Sequence, residues 1–443
     1  MKKLFKILGM FPLVLCTSLL ASCGSDNKES TTDKEITFEF DDKYFIGVQE
    51  HFYEIRSMEP AVTHNFVKDM LSVMDMKVFR LNVTLNNLFY VDANDVVKFN
   101  NSTKEQMHII VDDLVSAGIE RIVYATDTFL YPYGYKATHS ICVPDPYTEK
   151  DAYIRWLKVN SSGYRMMAQE FPEISYFEPI NEPDVPNNEV MCKNGMIWGT
   201  KQPEFMYTQF DEASICADLC YYIKKEIKAV NPKNKMMTPA LTSLSTCLDY
   251  LEYIYQAIES GCHPSGDDLA CSVDPDDYFD IIDLHPYASV NTILDPLSPK
   301  ENGVQLMTEN YVKGCNLFYD VCVKHGDGEK PHWYTEVGYS DYADPSRQEI
   351  IGRETAKQLK MIKEELPYVE TIIFYTLTDF YVFNQDISEN HFGLFTAIAN
   401  PDESLIMKPI MREIYKYMHN GSEDFSAFEP VYEKYRVRKE QWK

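Results

Sequence analysis

Short runs rich in β-branched and aromatic residues recur along the chain, and a stretch of helical periodicity follows each of them. The runs occupy 44–52, 77–85, 121–129, 176–183, 235–243, 279–288, 332–340 and 371–380. After the first, Val67, Met70, Leu71 and Met74 return at intervals of three and four, the spacing of one helix face. After the second, Met107, Ile110, Val111, Leu114 and Val115 do the same, and Gly118 supplies a stop. Further helices are read at about 150–171, 211–230, 247–260, 306–324, 347–365 and 408–419. Eight strands alternating with eight helices predict an α/β chain closed as a (β/α)8 TIM barrel. An open, doubly wound sheet is the competing arrangement. It usually carries a glycine-rich phosphate turn after its first strand, and "GVQEHF" at 47–52 is no such turn.

The connections are unequal. Segments leading from a helix to the next strand are mostly short, as in "NPKNK" at 231–235, whereas those leaving strands three and four run over 130–150 and 184–210. The long segments carry Tyr131, Tyr133, Tyr135, Tyr147, Trp198, Phe205 and Tyr207. In a barrel they gather at the C-terminal face, where active sites lie. As a set, these rings suit stacking on sugars, which makes Trp198 a candidate substrate contact. One insertion, "CHPSGDDLACSVDPDDY" at 262–278, falls before strand six and so on the opposite face, and reads as a solvated loop.

Composition narrows the partners. Lys and Arg number 42 and Asp and Glu 68, a formal charge of −26. So acidic a surface excludes nucleic acid and anionic lipid as partners and fits a neutral or cationic substrate. The chain opens "MKKLFKILGMFPLVLCTSLLASCGS", a positive start, an apolar run and small residues, the form of a secretory signal. The "LASC" at Leu20–Cys23 resembles a bacterial lipobox, which implies lipidation at Cys23 and removal of 1–22. A polar tether over 23–36 follows, then a catalytic barrel over 37–420 and a C-terminal extension over 421–443. The acidic stretch behind Cys23 resembles the surface-export signal of Bacteroides-type lipoproteins. The expected location is therefore the outer membrane, at the cell surface or periplasmic face, with membrane contact only through the lipid. Of eleven cysteines, Cys16 and Cys23 belong to the signal, and Cys216 and Cys220 share a helix face with no histidine pair nearby. No metal, cofactor or catalytic thiol is expected.

The chemistry concentrates at two strand ends. In "YFEPINEPD" a hydrophobic run meets Asn181 and Glu182 and breaks at Pro183, which cannot donate to a ladder. "HWYTEVGYS" places Glu336 at the equivalent height of strand seven. Two acids facing each other across a cleft are what glycoside hydrolysis requires, one protonated and one ionised. Asn-Glu-Pro ending strand four and a glutamate ending strand seven resemble clan A of the glycoside hydrolases, families five and thirty-nine among them, over residues 44 to 419. The resemblance implies Glu182 as acid/base, Glu336 as nucleophile, Asn181 on the sugar 2-hydroxyl, and retention of configuration. It implies Arg80 of "FRLN" beside the nucleophile, where a cation keeps it ionised. It also implies that Tyr287 of "LHPY" donates to Glu336, with His285 on the same wall.

Strand eight, "FYTLTDF", lacks the tryptophan common in that clan, and Tyr375, Phe380 or Tyr381 stands in its place. Strand three offers Asp127 where several families have histidine. The expected activity is retaining hydrolysis of a β-linked poly- or oligosaccharide, and the carbohydrate is the expected partner. A barrel that binds glycan without cleaving it is the alternative, and a metal-dependent amidohydrolase a third, for which no His-x-His marks the first strand.

Overall fold

A computed structural model describes residues 36–50, 60–136, 143–184, 209–242, 247–261, 272–379, 388–396 and 405–441. One compact unit runs from Phe38 to Lys443, and Met1–Thr37 forms a separate one. The barrel strands are β1 (Ile46–Glu50), β2 (Val78–Asn82), β3 (Arg121–Ala125), β4 (Ile174–Phe177), β5 in two pieces (Lys235–Met236 and Leu241–Thr242), β6 (Ile282–His285), β7 (His332–Val337) and β8 (Val369–Phe374). All neighbours pair in parallel. The first piece of β5 pairs with β4 and the second with β6, so the one segment joins both ends of the sheet and closes it. Isolated bridges Asn181–Ala240 and Met237–Ile281 complete that seam.

Apart from the single turns Leu85–Leu88 and Asn291–Leu294, the described α-helices are α1 (Pro60–Met74), α2 (Asn101–Ser116), α3 (Lys150–Glu170), α4 (Gln209–Val230), α5 (Cys247–Ser260), α6 (Glu309–Lys324), α7 (Pro345–Glu365), α8 (Pro409–Met418) and α9 (Glu429–Gln441). Their ends follow local chemistry. Asp344 caps α7 by accepting from the Ser346 N–H at 3.0 Å, with Pro345 at the first position. Past α2, Gly118 takes φ +94°, the left-handed conformation glycine adopts without strain. The last helix packs back on α1 through Phe66 and Tyr435, whose rings meet edge-on at 5.0 Å. Among the described residues no helix is long and apolar enough to cross a membrane.

Two cores result from the alternation of the strands. Outward positions pack against the helices. Inward positions Val78, Val123, Met237, Ile281, Trp333 and Ile373 fill the barrel, joined by Tyr44 and Tyr176. On β1 the inward position is Gly47, where a methyl group would stand 2.7 Å from the Val78 carbonyl oxygen. At the N-terminal mouth, the Arg121 guanidinium lies 3.6 Å over the Tyr44 ring and bonds Glu370 at 2.7 Å.

Three elements differ from their sequence pattern. The fourth strand, expected over 176–183, ends its regular ladder at Phe177: the Glu178 N–H still bonds the Tyr124 carbonyl at 2.9 Å, Pro179 has no N–H to donate, and Asn181 rejoins by one bridge. The fifth, expected continuous, is broken between Met236 and Leu241 where it changes partners. The third stops at Ala125 and not 129. A hairpin, Phe89–Val91 with Val97–Phe99, stands between β2 and α2 and was not anticipated.

Candidate active site

The C-terminal mouth is organised by one buried cation. Arg80 is 0 % exposed on the inward face of β2. Its guanidinium has five N–H donors, and each has an acceptor. Nε and Nη2 bond the two oxygens of Glu178 at 2.8 and 2.6 Å. Nη2 also reaches Asn181 Oδ1 at 2.8 Å, while Nη1 reaches Gln49 Oε1 at 2.6 Å and Glu336 Oε1 at 2.5 Å. Burial alone would lower its pKa, but the charges of Glu178 and Glu336 raise it well above the ordinary value. The bidentate grip of Glu178 sets the plane of the fork, and the fork in turn sets Glu336.

Glu336 ends β7 and is nearly buried, with 7 % of its side chain exposed. Gln49 Nε2 donates to its Oε1 at 3.2 Å, alongside Arg80. Tyr287 donates to its Oε2 at 2.6 Å. Desolvation and then the Glu336 charge push the Tyr287 phenol well above its usual range, so it stays a donor.

Glu182 is held differently. It takes φ +43°, uncommon for a residue with a side chain. The surroundings hold it there: its N–H bonds the Ala240 carbonyl at 2.9 Å. Asp184, two residues on, accepts from the Thr242 N–H at 3.0 Å and hydroxyl at 3.1 Å. Upstream, the Tyr164 hydroxyl donates to the carbonyls of Glu178 and Pro179 at 2.8 and 3.0 Å. Backbone strain overdetermined by its neighbours is a mark of functional positions.

His285 of β6 joins the two acids. Its Nδ1 lies 2.8 Å from Glu182 Oε1 and 3.6 Å from Glu336 Oε2. Its Nε2 lies 3.1 Å from Thr335 Oγ1, which donates to buried Asp283 at 2.5 Å. Burial depresses the imidazole, but the Glu336 charge and the bond and charge of Glu182 outweigh it, raising the pKa to about 9. Glu182, His285 and Glu336 each present an atom within 4.8 Å of the others. Such a trio has the composition of a metal site. An imidazolium, however, has no lone pair to give, and Arg80, Gln49 and Tyr287 already occupy Glu336.

Glu182, Glu336, Asn181, Arg80, His285 and Tyr287 thus meet in one constellation. Tyr375 lies just past β8 and packs edge-on against Phe392 at 5.4 Å, and Phe392 packs against Tyr287 at 5.8 Å, so both rings belong to the same wall. Asp127 is half-buried beside Asn82 and raised to about 6 by burial. Tyr131 and Tyr135 stack on each other at 5.9 Å, leaving Tyr133 and Tyr147 exposed. Trp198, Phe205, Tyr207, Phe380, Tyr381 and Cys23 lie outside the described residues. Sequence reasoning missed Gln49, Glu178, Asn82, Thr335, Asp283 and Phe392. The signal for Gln49, Glu178 and Asp283 was a polar residue inside an apolar run, which needs a buried partner.

No protein-family model matches the chain, and no curated protein does. Solved structures match its fold. A family 39 glycoside hydrolase from Bacteroides cellulosilyticus WH2 superposes with a TM-score of 0.52 at 15 % identity, over 85 % of this chain and 64 % of that one. This chain therefore spans under two thirds of that protein. A β-glucosidase from Thermotoga maritima gives 0.53 at 13 % identity, over 87 % and 99 %. A GH5-4 broad specificity endoglucanase from Clostridium acetobutylicum gives 0.53 at 12 %, over 84 % and 97 %. At these identities the likeness is one of fold: a (β/α)8 barrel shared with glycoside hydrolases.

Proposed function

We propose that the protein is a retaining glycoside hydrolase acting on β-linked poly- or oligosaccharides. The observation that carries the reading is the approach of Glu182 and Glu336 to within 4.8 Å between carboxylate oxygens. Retaining enzymes hold their carboxyl groups about 5–5.5 Å apart, and inverting ones leave room for a water. In the first step Glu336 attacks the anomeric carbon while Glu182 delivers to the departing oxygen a proton it draws from His285 Nδ1, 2.8 Å away. In the second, Glu182 takes a proton from water, and that water displaces Glu336.

Arg80 and Gln49 both donate to Oε1 of Glu336, and Tyr287 donates to Oε2, with His285 Nδ1 3.6 Å from the same oxygen. These contacts orient the carboxylate for attack. His285 and Asn181 flank the acid/base. The aromatic wall of Tyr287, Tyr375 and Phe392 substitutes for a strand-eight tryptophan, and the glycoside hydrolase fold neighbours support the substrate class.

The test is hydrolysis of aryl β-glycosides and β-glycans. Glu336→Gln is expected to lower kcat by on the order of 10⁴-fold, and azide to restore turnover of Glu182→Ala on an activated substrate with retained anomeric configuration. Wild-type rates in Glu336→Gln would end the assignment. Glycan affinity without product release would select the binding-protein alternative, and loss of activity on chelation would revive a metal enzyme.

We also propose export as a lipoprotein anchored at Cys23 in the outer membrane. Metabolic labelling with a fatty acid should mark the wild type and not Cys23→Ser.

A further inference from the structure

Two polar groups at the mouth stand outside the network around Arg80. Asn82 lies two residues past Arg80 on β2, so strand alternation puts it on the same inward face, one step nearer the opening. Asp127 follows β3 in step with inward Val123, and the register Asn82–Ala125 sets these strand ends side by side. Asn82 Nδ2 faces both oxygens of Asp127 at 3.3 and 3.4 Å, long contacts that use its donor group. Asn82 is 1 % exposed, yet its Oδ1 has no hydrogen-bond partner. Among the described residues no other side chain donates to Asp127. The pair therefore offers acceptors and lacks donors, and a buried acceptor without a donor is unfavourable until a ligand fills it.

We propose that Asn82 and Asp127 clamp hydroxyl groups of the sugar ring held beside Glu336, and that they exclude an acidic sugar. This rests on the glycosidase reading above. A ring hydroxyl supplies the donor that Asn82 Oδ1 lacks, and a neighbouring hydroxyl completes Asp127. A carboxylate or sulfate on the ring would set acceptor against acceptor. It would also meet Glu182 and Glu336. The described cations have nothing left to offer an anion there: Arg80 has spent all five donors, and both His285 nitrogens are engaged.

The experiment compares 4-nitrophenyl β-glucoside, xyloside, mannoside and galactoside with the β-glucuronide. The wild type should favour one neutral glycoside over the glucuronide by at least about 100-fold in kcat/KM, since a site built to bond a hydroxyl discriminates strongly. Asp127→Asn should lower kcat/KM on that substrate by about 10- to 100-fold, chiefly through KM, and narrow the gap to the glucuronide. Asn82→Ala should cost about 10-fold. Burial holds Asp127 at about 6, so Asp127→Asn should be no less stable at pH 7, which thermal unfolding checks. In parallel, calorimetry measures neutral disaccharides binding to Glu336→Gln, with and without Asp127→Asn. Weakened binding without any wild-type hydrolysis would sustain the clamp and sink the glycosidase. Unchanged hydrolysis and binding in both variants would overturn the clamp, as would preference for the glucuronide, or no neutral sugar bound or cleaved.

Discussion

Each mouth of the barrel holds one arginine among aromatic rings and carboxylates, and the two are arranged to opposite ends. Among the described residues, Arg121 at the N-terminal mouth has a single carboxylate, Glu370, whose other oxygen accepts from Trp333 Nε1 at 2.8 Å. The Tyr44 ring lies against the guanidinium, and Tyr176 stacks on Trp333 at 4.6 Å. Charges there balance one to one and the rings seal the end. At the C-terminal mouth, Arg80 serves two carboxylates, Glu178 and Glu336, and a second cation, His285, stands between Glu336 and a third, Glu182. Removing a group from the first arrangement loses stability alone. Removing one from the second leaves a buried charge unpaired at the candidate site.

The comparison can be broken most sharply at Arg80. Arg80→Met leaves Glu178 and Glu336 buried without their cation, and is expected to lose about 3–5 kcal/mol of stability together with measurable hydrolysis. Urea unfolding and kcat/KM read the two effects. Stability near wild type would show that the upper mouth is no more strained than the lower.

Next in size is a pH effect. The imidazole of His285 rises from an ordinary 6.5 to about 9 on folding, so the folded chain holds this proton more tightly than the unfolded one. Its stabilisation is complete below about pH 6.5 and is lost as pH climbs through 9. That shift corresponds to about 3 kcal/mol. His285→Asn should flatten the stability profile between pH 6.5 and 9.5. An equally steep decline in the variant would locate the titration elsewhere.

Glu178→Gln tests whether the bidentate partner matters to chemistry. Loss of one arm lets the guanidinium turn, and small misplacements at reacting centres can reduce rates about 10²-fold. A fall in kcat at unchanged KM is expected, and Glu178→Asp should recover part of it.

The smallest effect belongs to the lower mouth. Arg121→Met should cost about 1–2 kcal/mol through the lost ion pair and ring contacts, with kcat/KM unchanged within about twofold. A large loss of activity would mean that the two ends are coupled.

The alternation of strands and helices was legible because burial repeats every two residues in a strand and about every 3.6 in a helix. Helix ends came out within a few residues for the same reason, as for α5 at Cys247–Ser260. Strand ends at the upper mouth did not, because the backbone leaves the ladder there to aim side chains, as it does between Phe177 and Asn181. Glu182 and Glu336 stood out because an acid that ends an apolar run has few structural uses. Glu178, in the same run, stood equally close and was passed over, because nothing in a linear pattern says which acid faces the cleft and which grips an arginine beneath it.

The chain's own order of residues therefore determined the class of fold, which follows from local periodicity, and it singled out Glu182 and Glu336 as candidates, each an acid near the end of an apolar run. Only the closed barrel decided that Gln49, Arg80, Glu178 and Glu336 share one set of hydrogen bonds, and that Glu182 lies within 4.8 Å of Glu336. Periodicity reports which face of an element is buried. Height and direction around the barrel axis are set by register between strands far apart in the chain, and they exist only once the sheet has closed.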